Sequence, residues 1–394
     1  MLFITERFPP SEGGSRVYYY NLCKNYTAGD VIVLTKKVEG GDEFDKTESL
    51  RIVRKGKPVS NWKFYQFPKF IFPLLWTIYL TAKEDVGVIH CGDFFPAGFI
   101  GLVMNKLFGK PYVYYVHGEG YTWFNQFRFQ PKIRKVILRN AARIVAACSY
   151  AEEGVLRDLN GYKVPVSRIT PGVEYHKFNP DKRDTILLNS LGLENRKVIL
   201  TIGRLVDRKG QDTVIRAMPR VIAEIPEALY AIGGRGPHEE HLRNLAEELG
   251  VSTHVKFLGF IPEEQIPDLY GICDVFVMVN RDTKGQGPEG FGMVFTEASA
   301  AGRPVIGGKS GGTGDSILEG VTGYRVDPVD VDDVAAHIIK ILKDDELRSS
   351  LGRQGREWVV ETFDWRIKGS QLEELNSEVL QERIGLGGHD NKEA

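Results

Sequence analysis

The stretch VFVMVNRDTKGQGPEGFGMVFTEASAAGRPVIGG, residues 275–308, carries the pattern that best indicates the fold. Its first five residues form an apolar run that predicts a buried strand, and a glycine-rich loop follows. The apolar residues from about Phe291 to Ala301 predict a helix, Gly302 fits its C-terminal cap, and Pro304 begins a second apolar run. The order strand, helix, strand with unbroken apolar strands is typical of a parallel sheet.

The same alternation recurs along the chain. Further apolar runs predict strands at 1–4, 31–35, 88–91, 112–117, 143–148, 198–203, 229–234 and 255–259. Amphipathic patterns predict helices at 96–108, 131–142, 210–224, 237–249, 263–271 and 331–344. Because the alternation occurs on both sides of a polar stretch at 171–184, we predict an α/β protein with two doubly wound domains.

The predicted boundaries follow from that polar stretch. The first domain covers residues 1–180, and the second covers residues 185–363. A C-terminal helix near 364–380 is expected to pack back on the first domain, and residues 381–394 are expected to form a frayed tail. Ligands of such sheets bind beyond the carboxyl ends of the strands, so two domains facing a central cleft would hold substrates between them.

Charge is distributed unevenly along the 394 residues, although the net charge is only −1. Residues 1–190 contain 27 Lys and Arg against 18 Asp and Glu, whereas residues 191–394 contain 24 against 34. A basic first half indicates contact with something anionic, and an asymmetry without function is the alternative. The basic residues form no compact cluster with a known docking element, so we expect no nucleic-acid partner.

The cysteines and the N-terminus indicate a cytoplasmic protein. The four cysteines have no metal-ligand or redox spacing, and no signal peptide is expected before the first strand. The apolar run Phe70–Ala82 is interrupted by Pro73 and is too short to span a bilayer, so we predict a core or interfacial helix.

Two carboxylates in the opening stretch are the main functional candidates. Glu289 lies just before the predicted helix, and Glu297 follows eight positions later, about two turns inside it. At a helical rise of roughly 1.5 Å per residue, Glu297 lies roughly 10 Å from the start of the helix. Ionised carboxylates accept hydrogen bonds from sugar hydroxyls. The amides of Gly290, Phe291 and Gly292 lie between them at the helix N-terminus, which favours a phosphate or a sugar oxygen.

Two other loops contain residues suited to phosphate binding. Gly13 and Gly14 precede a predicted helix, where they allow a close backbone approach, although most Gly-Gly pairs are simple turns. Gly203 ends a predicted strand, and Arg204 and Lys209 follow it near a helix N-terminus, where two cations can converge on a diphosphate. Solvated loop cations are the alternative for this pair.

These motifs together resemble the retaining glycosyltransferases of family GT4, which have the GT-B fold. Glu289 and Glu297 match the E-x7-E motif of that family. The similarity continues, in order, through EGGS, VHGEG, PGVEYHKF, GRLVDRKG and GGKSGGTGDSILEGVTGYRVDP, and covers almost the whole chain.

The resemblance implies a role for each matching position. Glu289 would hold hydroxyls of the donor sugar, Glu297 would hold the ribose, and Arg204 with Lys209 would neutralise the donor diphosphate. Gly14 would approach the phosphate or the acceptor, and His117 would lie beside the reacting sugar carbon. One departure is Gly314, which stands where many relatives have proline, so the shape of that loop is open and Asp315 is the candidate for its acidic role.

The resemblance also implies retention of configuration without a divalent metal or another cofactor. The prominent Asp-x-Asp at Asp330–Asp332 is interpreted as helix capping. His238 and His241 offer two imidazoles on one helix face, although a solvated first turn is the preferred interpretation.

Similarity around Glu289 favours GDP-mannose as donor, as in the phosphatidylinositol mannosyltransferases, with its base near residues 257–262. UDP-sugar-dependent GT4 enzymes of glycan, lipopolysaccharide or capsule synthesis remain an alternative. The acceptor is expected to be a glycan or a lipid-linked hydroxyl. Aromatic and basic residues alternate between Tyr121 and Asn140, which suits the anionic inner face of a plasma membrane, whereas a helix with solvated lysines is the equal alternative.

Three other classes compete with a transferase. A nucleotide-sugar epimerase would release a rearranged sugar nucleotide, and a phosphorylase would need a lysine for pyridoxal phosphate, for which no convincing sequence context exists. A non-catalytic sugar-nucleotide sensor would bind the donor without transferring the sugar. The joint presence of His117, Lys209 and Glu289 argues against the sensor.

Overall fold

The computed structural model describes residues 1–11, 13–55, 66–118, 130–178, 180, 184–283 and 287–387. The chain divides into two compact units. Unit 1 consists of Met1–Gly172 and Trp365–Ala394, and unit 2 consists of Val173–Asp364. The prediction had placed the corresponding boundary at residues 180–185.

Unit 1 is built on a seven-stranded parallel sheet with the order β3-β2-β1-β4-β5-β6-β7. Its strands are β1 (Leu2–Ile4), β2 (Ile32–Thr35), β3 (Arg51–Arg54), β4 (Ile89–Cys91), β5 (Tyr112–Val116), β6 (Arg143–Ala146) and β7 (Val166–Arg168). Its helices are α1 (Gly14–Lys24), α2 (Gly41–Thr47), α3 (Gln66–Lys83), α4 (Phe99–Phe108), α5 (Gln130–Asn140), α6 (Ser149–Leu159) and, after the second unit, α14 (Trp365–Gly387).

Unit 2 has a six-stranded parallel sheet with the order β10-β9-β8-β11-β12-β13. Its strands are β8 (Lys197–Ile202), β9 (Ala228–Gly233), β10 (Val255–Gly259), β11 (Val275–Met278), β12 (Val305–Gly308) and β13 (Gly323–Val326). Its helices are α7 (Thr185–Ser190), α8 (Gln211–Glu224), α9 (Glu239–Glu248), α10 (Ile266–Ile272), α11 (Met293–Ala300), α12 (Val331–Lys343) and α13 (Asp345–Thr362).

The α/β class and the two Rossmann-like sheets are confirmed, but three strands were missed. These are β3, β7 and β13, and each lies at an edge of its sheet. An edge strand has one strand neighbour and is less buried than a central strand, so it does not need a continuous apolar run. The sequence RIVR of β3, with its charged ends, and the three-residue β7 accordingly lack the pattern that identified the central strands.

The C-terminal helix differs from the predicted frayed tail. α14 continues to Gly387, and residues 388–394 lie outside the described part of the chain. Leu372, Leu375 and Val379 of α14 are buried in the core of unit 1. Arg143 of β6 pairs with Glu378 at 2.9 Å and with Glu382 at 3.2 Å. These ion pairs attach the helix to the sheet around residues 378–382.

The cores of the two units differ in composition. The core of unit 1 is rich in aromatic residues, including Phe3, Tyr18, Tyr19 and Tyr115. The core of unit 2 consists mostly of Ile, Val, Leu and Ala, and every residue of the central strands β9 and β11 is buried, on both faces of the sheet. Such apolar burial on two faces is what the unbroken strand runs predicted.

Candidate functional site

The loop after β8 carries the cations of unit 2. A single 3₁₀ turn, Asp207–Lys209, is followed by Gly210, which has φ +69° and begins α8. A Cβ on Gly210 would lie 2.1 Å from the carbonyl oxygen of Val279, just beyond β11. Only glycine accommodates both this backbone conformation and this close approach. The cation loop is therefore locked against the end of the neighbouring strand.

Glu289 is the centre of a charged cluster. Its Oε2 accepts hydrogen bonds from Lys209 Nζ at 2.6 Å, Asn280 Nδ2 at 2.9 Å and Arg208 Nη1 at 3.0 Å. The side chain is only 12% exposed. Burial by itself would raise the pKa of Glu289, but the charges of Lys209 and Arg208 outweigh it and hold the pKa at about 2. Glu289 is therefore ionised at neutral pH.

The second cation of this cluster is Arg208, whereas the sequence paired Lys209 with Arg204. The side chain of Arg204 is exposed, and its backbone carbonyl accepts a hydrogen bond from Gln211 Nε2 at 3.1 Å. The 3₁₀ turn directs Arg208 and Lys209 to the same carboxylate. The adjacent basic pair in the sequence DRKG is the signal that could have identified Arg208.

Asn280 was also missed, because nothing in the sequence marks it. It lies two residues beyond β11 and is fully buried. Its Nδ2 donates to Glu289, and its Oδ1 is buried without a hydrogen-bond partner among the described residues. Asn280 thus helps to fix the orientation of the Glu289 carboxylate. An unsatisfied buried acceptor such as its Oδ1 calls for an explanation, and a functional role is one.

The glycine-rich segment after Glu289 enters α11 later than predicted. The helix begins at Met293, because Gly292 adopts a left-handed conformation with φ +82°. The side chain of Phe291 is buried and contacts the ring of Phe363 at 5.5 Å between centroids, so it belongs to the core. Gly290 and the backbone of Phe291 precede the helix N-terminus, where anions are favoured.

The loop with the Gly314 departure supports the backbone of Glu289. The amide of Gly312 donates to the Glu289 carbonyl at 3.1 Å, and a Cβ on Gly311 would lie 2.0 Å from that oxygen. Gly314 lies against the guanidinium of Arg325, which a Cβ would approach to 2.8 Å. Gly311 is therefore required by its close approach to the backbone, whereas a Cβ at position 314 would meet only the flexible end of Arg325 and could displace it.

Glu297 lies in the second turn of α11 and is partly exposed. The buried Tyr270 hydroxyl donates to its Oε2 at 3.0 Å. Burial raises the pKa of Glu297 to about 7, helped by the nearby charge of Glu263, while the hydrogen bond from Tyr270 opposes the shift. The two glutamates of the motif therefore have opposite pKa shifts, because only Glu289 is paired with cations.

Gly203 follows β8 and remains tied to the sheet. Its amide donates to the Gly233 carbonyl at 2.9 Å, and a Cβ on Gly234 would lie 2.0 Å from the Gly203 carbonyl oxygen. The backbones at the carboxyl ends of β8 and β9 thus approach closely. In this position Gly203 contributes backbone rather than side-chain chemistry.

The candidate residues of unit 1 lie at the carboxyl ends of its central strands. Gly13, with φ +122°, caps the N-terminus of α1, and Gly14 is the first helical residue. A Cβ on Gly14 would meet no heavy atom of the described residues within 4 Å, so the space on their side of it is open. An open helix N-terminus suits the approach of an anion or a hydroxyl.

His117 follows β5, and its tautomer is determined by Tyr19. The Tyr19 hydroxyl donates its single proton to the carbonyl of Gly92, so it can only accept from His117 Nε2, which lies 2.6 Å away. Nδ1 then carries the lone pair. Burial lowers the pKa of His117 to about 3, and the charge of Arg7 adds to this. His117 is therefore a neutral imidazole with an acceptor at Nδ1.

The predicted acceptor region is only partly described. Residues 119–129, with Trp123, Phe124, Phe127, Arg128 and Phe129, lie outside the described residues. In α5, Arg134 pairs with Asp158 at 2.7 Å, and the Arg139 guanidinium lies 3.8 Å from the centre of the Tyr162 ring. Lys132 is exposed. Arg134 and Arg139, two of the cations expected to face a membrane, therefore have partners within the protein.

Two further motifs were considered for metal binding. Asp330 caps α12, accepting hydrogen bonds from the amides of Asp332 and Asp333, so the interpretation as a helix cap is confirmed. His238 precedes α9, and its ring lies 6.2 Å from that of His241. In the described part of the chain, no group of three His, Cys, Asp or Glu residues has metal-binding geometry.

Comparison with known proteins identifies the family. The model for glycosyltransferase family 4 matches residues 12–177, and that for glycosyl transferases group 1 matches residues 184–358. A GDP-mannose-dependent alpha-(1-6)-phosphatidylinositol monomannoside mannosyltransferase of Mycolicibacterium smegmatis is 31% identical, covering 96% of this chain and 98% of that protein. A related enzyme of Corynebacterium glutamicum, acting on the monoacylated form, is 30% identical, covering 94% and 96%.

Solved structures give the same fold. The Anabaena protein Alr3699/HepE, in complex with UDP and glucose, superposes with a TM-score of 0.78 at 20% identity, covering 96% of this chain and 99% of that one. Sucrose-phosphate synthase from Thermosynechococcus elongatus also has a TM-score of 0.78, at 23% identity, covering 97% and 99%. The chain therefore belongs to the GT4 family of glycosyltransferases and has the GT-B fold.

Proposed function

We propose that this hexosyltransferase transfers mannose from GDP-mannose to a hydroxyl of a glycan or lipid-linked acceptor, with retention of configuration and without a divalent metal. The observation that carries the proposal is the contact of Glu289 with Lys209, Arg208 and Asn280 at the entrance to α11. It combines an ionised acceptor for sugar hydroxyls with two cations for a diphosphate.

The cations keep their positive charge while they bind Glu289. Lys209 has three N–H donors and directs one of them to Glu289, and Arg208 binds the same carboxylate oxygen. The charges of both side chains attract diphosphate oxygens. When the bond between the anomeric carbon and the phosphate oxygen breaks, its electron pair moves to that oxygen, and these cations stabilise the growing charge. This supports a reaction in which a metal is unnecessary.

The acceptor oxygen attacks the anomeric carbon on the face that the diphosphate leaves, and its proton passes to the departing phosphate oxygen. Glu289 would bind sugar hydroxyls and Glu297 would bind the ribose. The neutral His117, with its acceptor at Nδ1, would accept a hydrogen bond from a sugar hydroxyl without adding a positive charge near the reacting carbon. Arg204, Gly13, Gly14 and Gly203 remain predicted contacts of the substrates.

The preference for GDP-mannose rests on the similarity to mannosyltransferases. The mannosyltransferases are about 30% identical over nearly the whole chain, whereas the structure with bound UDP is 20% identical. A thermal-shift screen of the full chain against GDP-, UDP- and ADP-sugars, followed by product analysis, tests the donor. Stabilisation by GDP-mannose alone is expected. Preferential stabilisation by a UDP-sugar would establish the second candidate, and binding without transfer would indicate a sensor.

We further propose that unit 1 contacts the inner face of the plasma membrane through α3. None of the described helices is long and apolar enough to span a bilayer. Phe72 and Leu75 of α3 are each 56% exposed, Tyr79 is 50% exposed, and Lys83 is exposed at the end of the helix. The spacing of three and four residues places the three apolar side chains on one helix face.

Co-sedimentation of the full chain with vesicles of phosphatidylglycerol and phosphatidylcholine tests this surface. The wild type should bind at low salt, and the triple variant Phe72→Ser, Leu75→Ser and Tyr79→Ser should bind less while keeping its activity on a water-soluble acceptor. A matched control is Leu156→Ser, which changes an exposed residue of α6 that is 52% exposed. Equal binding by the triple variant and the wild type would contradict the assignment.

A further inference from the structure

Arg281 is the most connected side chain next to the cation loop. Its Nη2 donates to both oxygens of Asp212, at 2.9 and 3.0 Å, and to Asp207, while Nη1 donates to Thr213 Oγ1 at 3.0 Å. The guanidinium is only 16% exposed. Neither the sequence motifs nor the family resemblance gave this residue a role.

The two carboxylates that Arg281 binds flank the cations of the site. Asp207 immediately precedes Arg208 and Lys209, and Asp212 lies three residues after Lys209. Without a partner, either carboxylate would lower the electrostatic potential at the cations that a diphosphate must meet. Arg281 donates to both carboxylates and compensates their charge, so that they do not cancel the positive potential of Arg208 and Lys209.

The charge balance of the cluster depends on the same residue. Asp207, Asp212 and Glu289 are acidic, and Arg208, Lys209 and Arg281 are basic, so the cluster is neutral. Loss of Arg281 would leave a net negative charge in a site proposed to receive an anion. Asp207 is 41% exposed, but the other five side chains are at most 20% exposed, so solvent would screen that charge incompletely.

The backbone of Arg281 also contacts the loop. Its amide donates to the carbonyl of Arg208 at 2.9 Å, and the preceding Val279 packs against Gly210. These contacts do not involve the Arg281 side chain. A substitution at this position therefore removes the guanidinium while the backbone attachment of the loop is retained, which separates charge compensation from folding.

We propose that Arg281 is a positioning residue for the donor diphosphate, acting by holding Asp207 and Asp212 away from Arg208 and Lys209. The inference rests on the proposed function, because it assumes that a nucleoside diphosphate binds this cluster. It deepens that function by explaining how a loop with two acidic residues beside two cations keeps a positive potential for an anion.

Calorimetric titration of the full-length wild type and Arg281→Gln with GDP, UDP and the matching monophosphates tests the inference. For the nucleotide that binds the wild type, Arg281→Gln should weaken diphosphate binding about tenfold or more, and weaken monophosphate binding less. In activity assays the donor KM should rise more than kcat falls. Arg281→Lys keeps the positive charge but cannot donate through the planar guanidinium. Its diphosphate affinity should therefore lie between those of the wild type and Arg281→Gln.

A compensating variant distinguishes charge from shape. Arg281→Gln combined with Asp212→Asn should recover part of the diphosphate affinity, since the uncompensated carboxylate is removed. Arg220→Gln is the matched control, because Arg220 lies on α8 in an exposed pair with Asp332. Diphosphate binding by Arg281→Gln equal to wild type, or equal losses for diphosphate and monophosphate without recovery in the double variant, would overturn the inference. If the wild type binds neither diphosphate, the proposed function fails and the inference with it.

Discussion

The candidate sites of the two units are built from different chemistry. In unit 2, Glu289 is ionised and is held by Lys209 and Arg208, and close glycine contacts fix the loops that carry them. In unit 1, His117 is neutral and is held by the hydroxyl of Tyr19 within an aromatic core. The comparison teaches that the unit 2 site is arranged for charge, and the unit 1 site for neutral hydrogen bonding.

The largest effect is expected when the charged cluster of unit 2 is broken. Lys209→Ala and Glu289→Ala should each leave the protein folded and reduce turnover roughly 10²–10³-fold, the scale of losing a group that stabilises developing charge. Steady-state kinetics with a defined donor and acceptor measures this. Lys343→Ala is the matched control, because Lys343 pairs with Glu224 on the exposed surface. Near-normal turnover in both variants would refute the assignment.

The contrast in backbone packing gives the next largest effect. Gly210→Ala in unit 2 should lose roughly 2–3 kcal/mol of stability, since it combines a left-handed conformation with a close contact to the Val279 carbonyl. Gly109→Ala in unit 1 has a similar φ of +61° but open space around its Cβ, so it should lose about 1 kcal/mol. Denaturant unfolding compares the two. Equal losses would show that the close approach does not matter.

The pH dependence of stability contributed by two histidines of unit 1 should have the opposite sign to that contributed by Glu297 of unit 2. In unit 1 the pKa of His117 and of the buried His90 is lowered to about 3, so the unfolded chain binds more protons below the ordinary value of 6.5. Their contribution to stability is lost as pH falls from about 6.5 towards 3. In unit 2 the pKa of Glu297 is raised to about 7, so the folded chain binds more protons between 4.5 and 7, and stability increases as pH falls through that range.

Glu297→Gln isolates the unit 2 contribution. The variant should be more stable than the wild type at pH 8 by on the order of 2 kcal/mol, and the difference should become small towards pH 5, because folded Glu297 is then protonated and the unfolded carboxyl approaches its pKa of 4.5. Thermal unfolding between pH 5 and pH 8 measures this. Glu264→Gln, at an exposed position of the turn before α10, is the control. A stability difference independent of pH would contradict the raised pKa.

The smallest effect is expected in the neutral hydrogen bonds of unit 1. Tyr19→Phe keeps the aromatic packing but leaves His117 Nε2 without its acceptor, so the transfer rate should fall about tenfold while nucleotide binding is unchanged. Tyr20→Phe, on the same helix with its hydroxyl bound to Lys24, is the control. ¹⁵N spectra of the imidazole provide a direct readout, and protonation at Nδ1 in the wild type would disprove the proposed tautomer.

The two missed arginines share one property, which is that their partners are distant in sequence. Arg208 is 81 positions from Glu289, and Arg281 is 74 positions from Asp207. Their contacts exist because β8 and β11 are neighbours in the sheet, and strand order is not encoded in local periodicity. Three of the four edge strands, β3, β7 and β13, were missed for a related reason, because their pairing is determined by the sheet and not by their own composition.

The sequence by itself determined the α/β class, the two sheets and the family, because buried parallel strands require unbroken apolar runs and because the motifs are short segments of fixed spacing. Only the tertiary structure decided which cation faces Glu289, which side chains orient it and His117, and how far the two motif glutamates differ in pKa. Those properties depend on burial and on the neighbours that strand order provides, and neither is a property of a local segment.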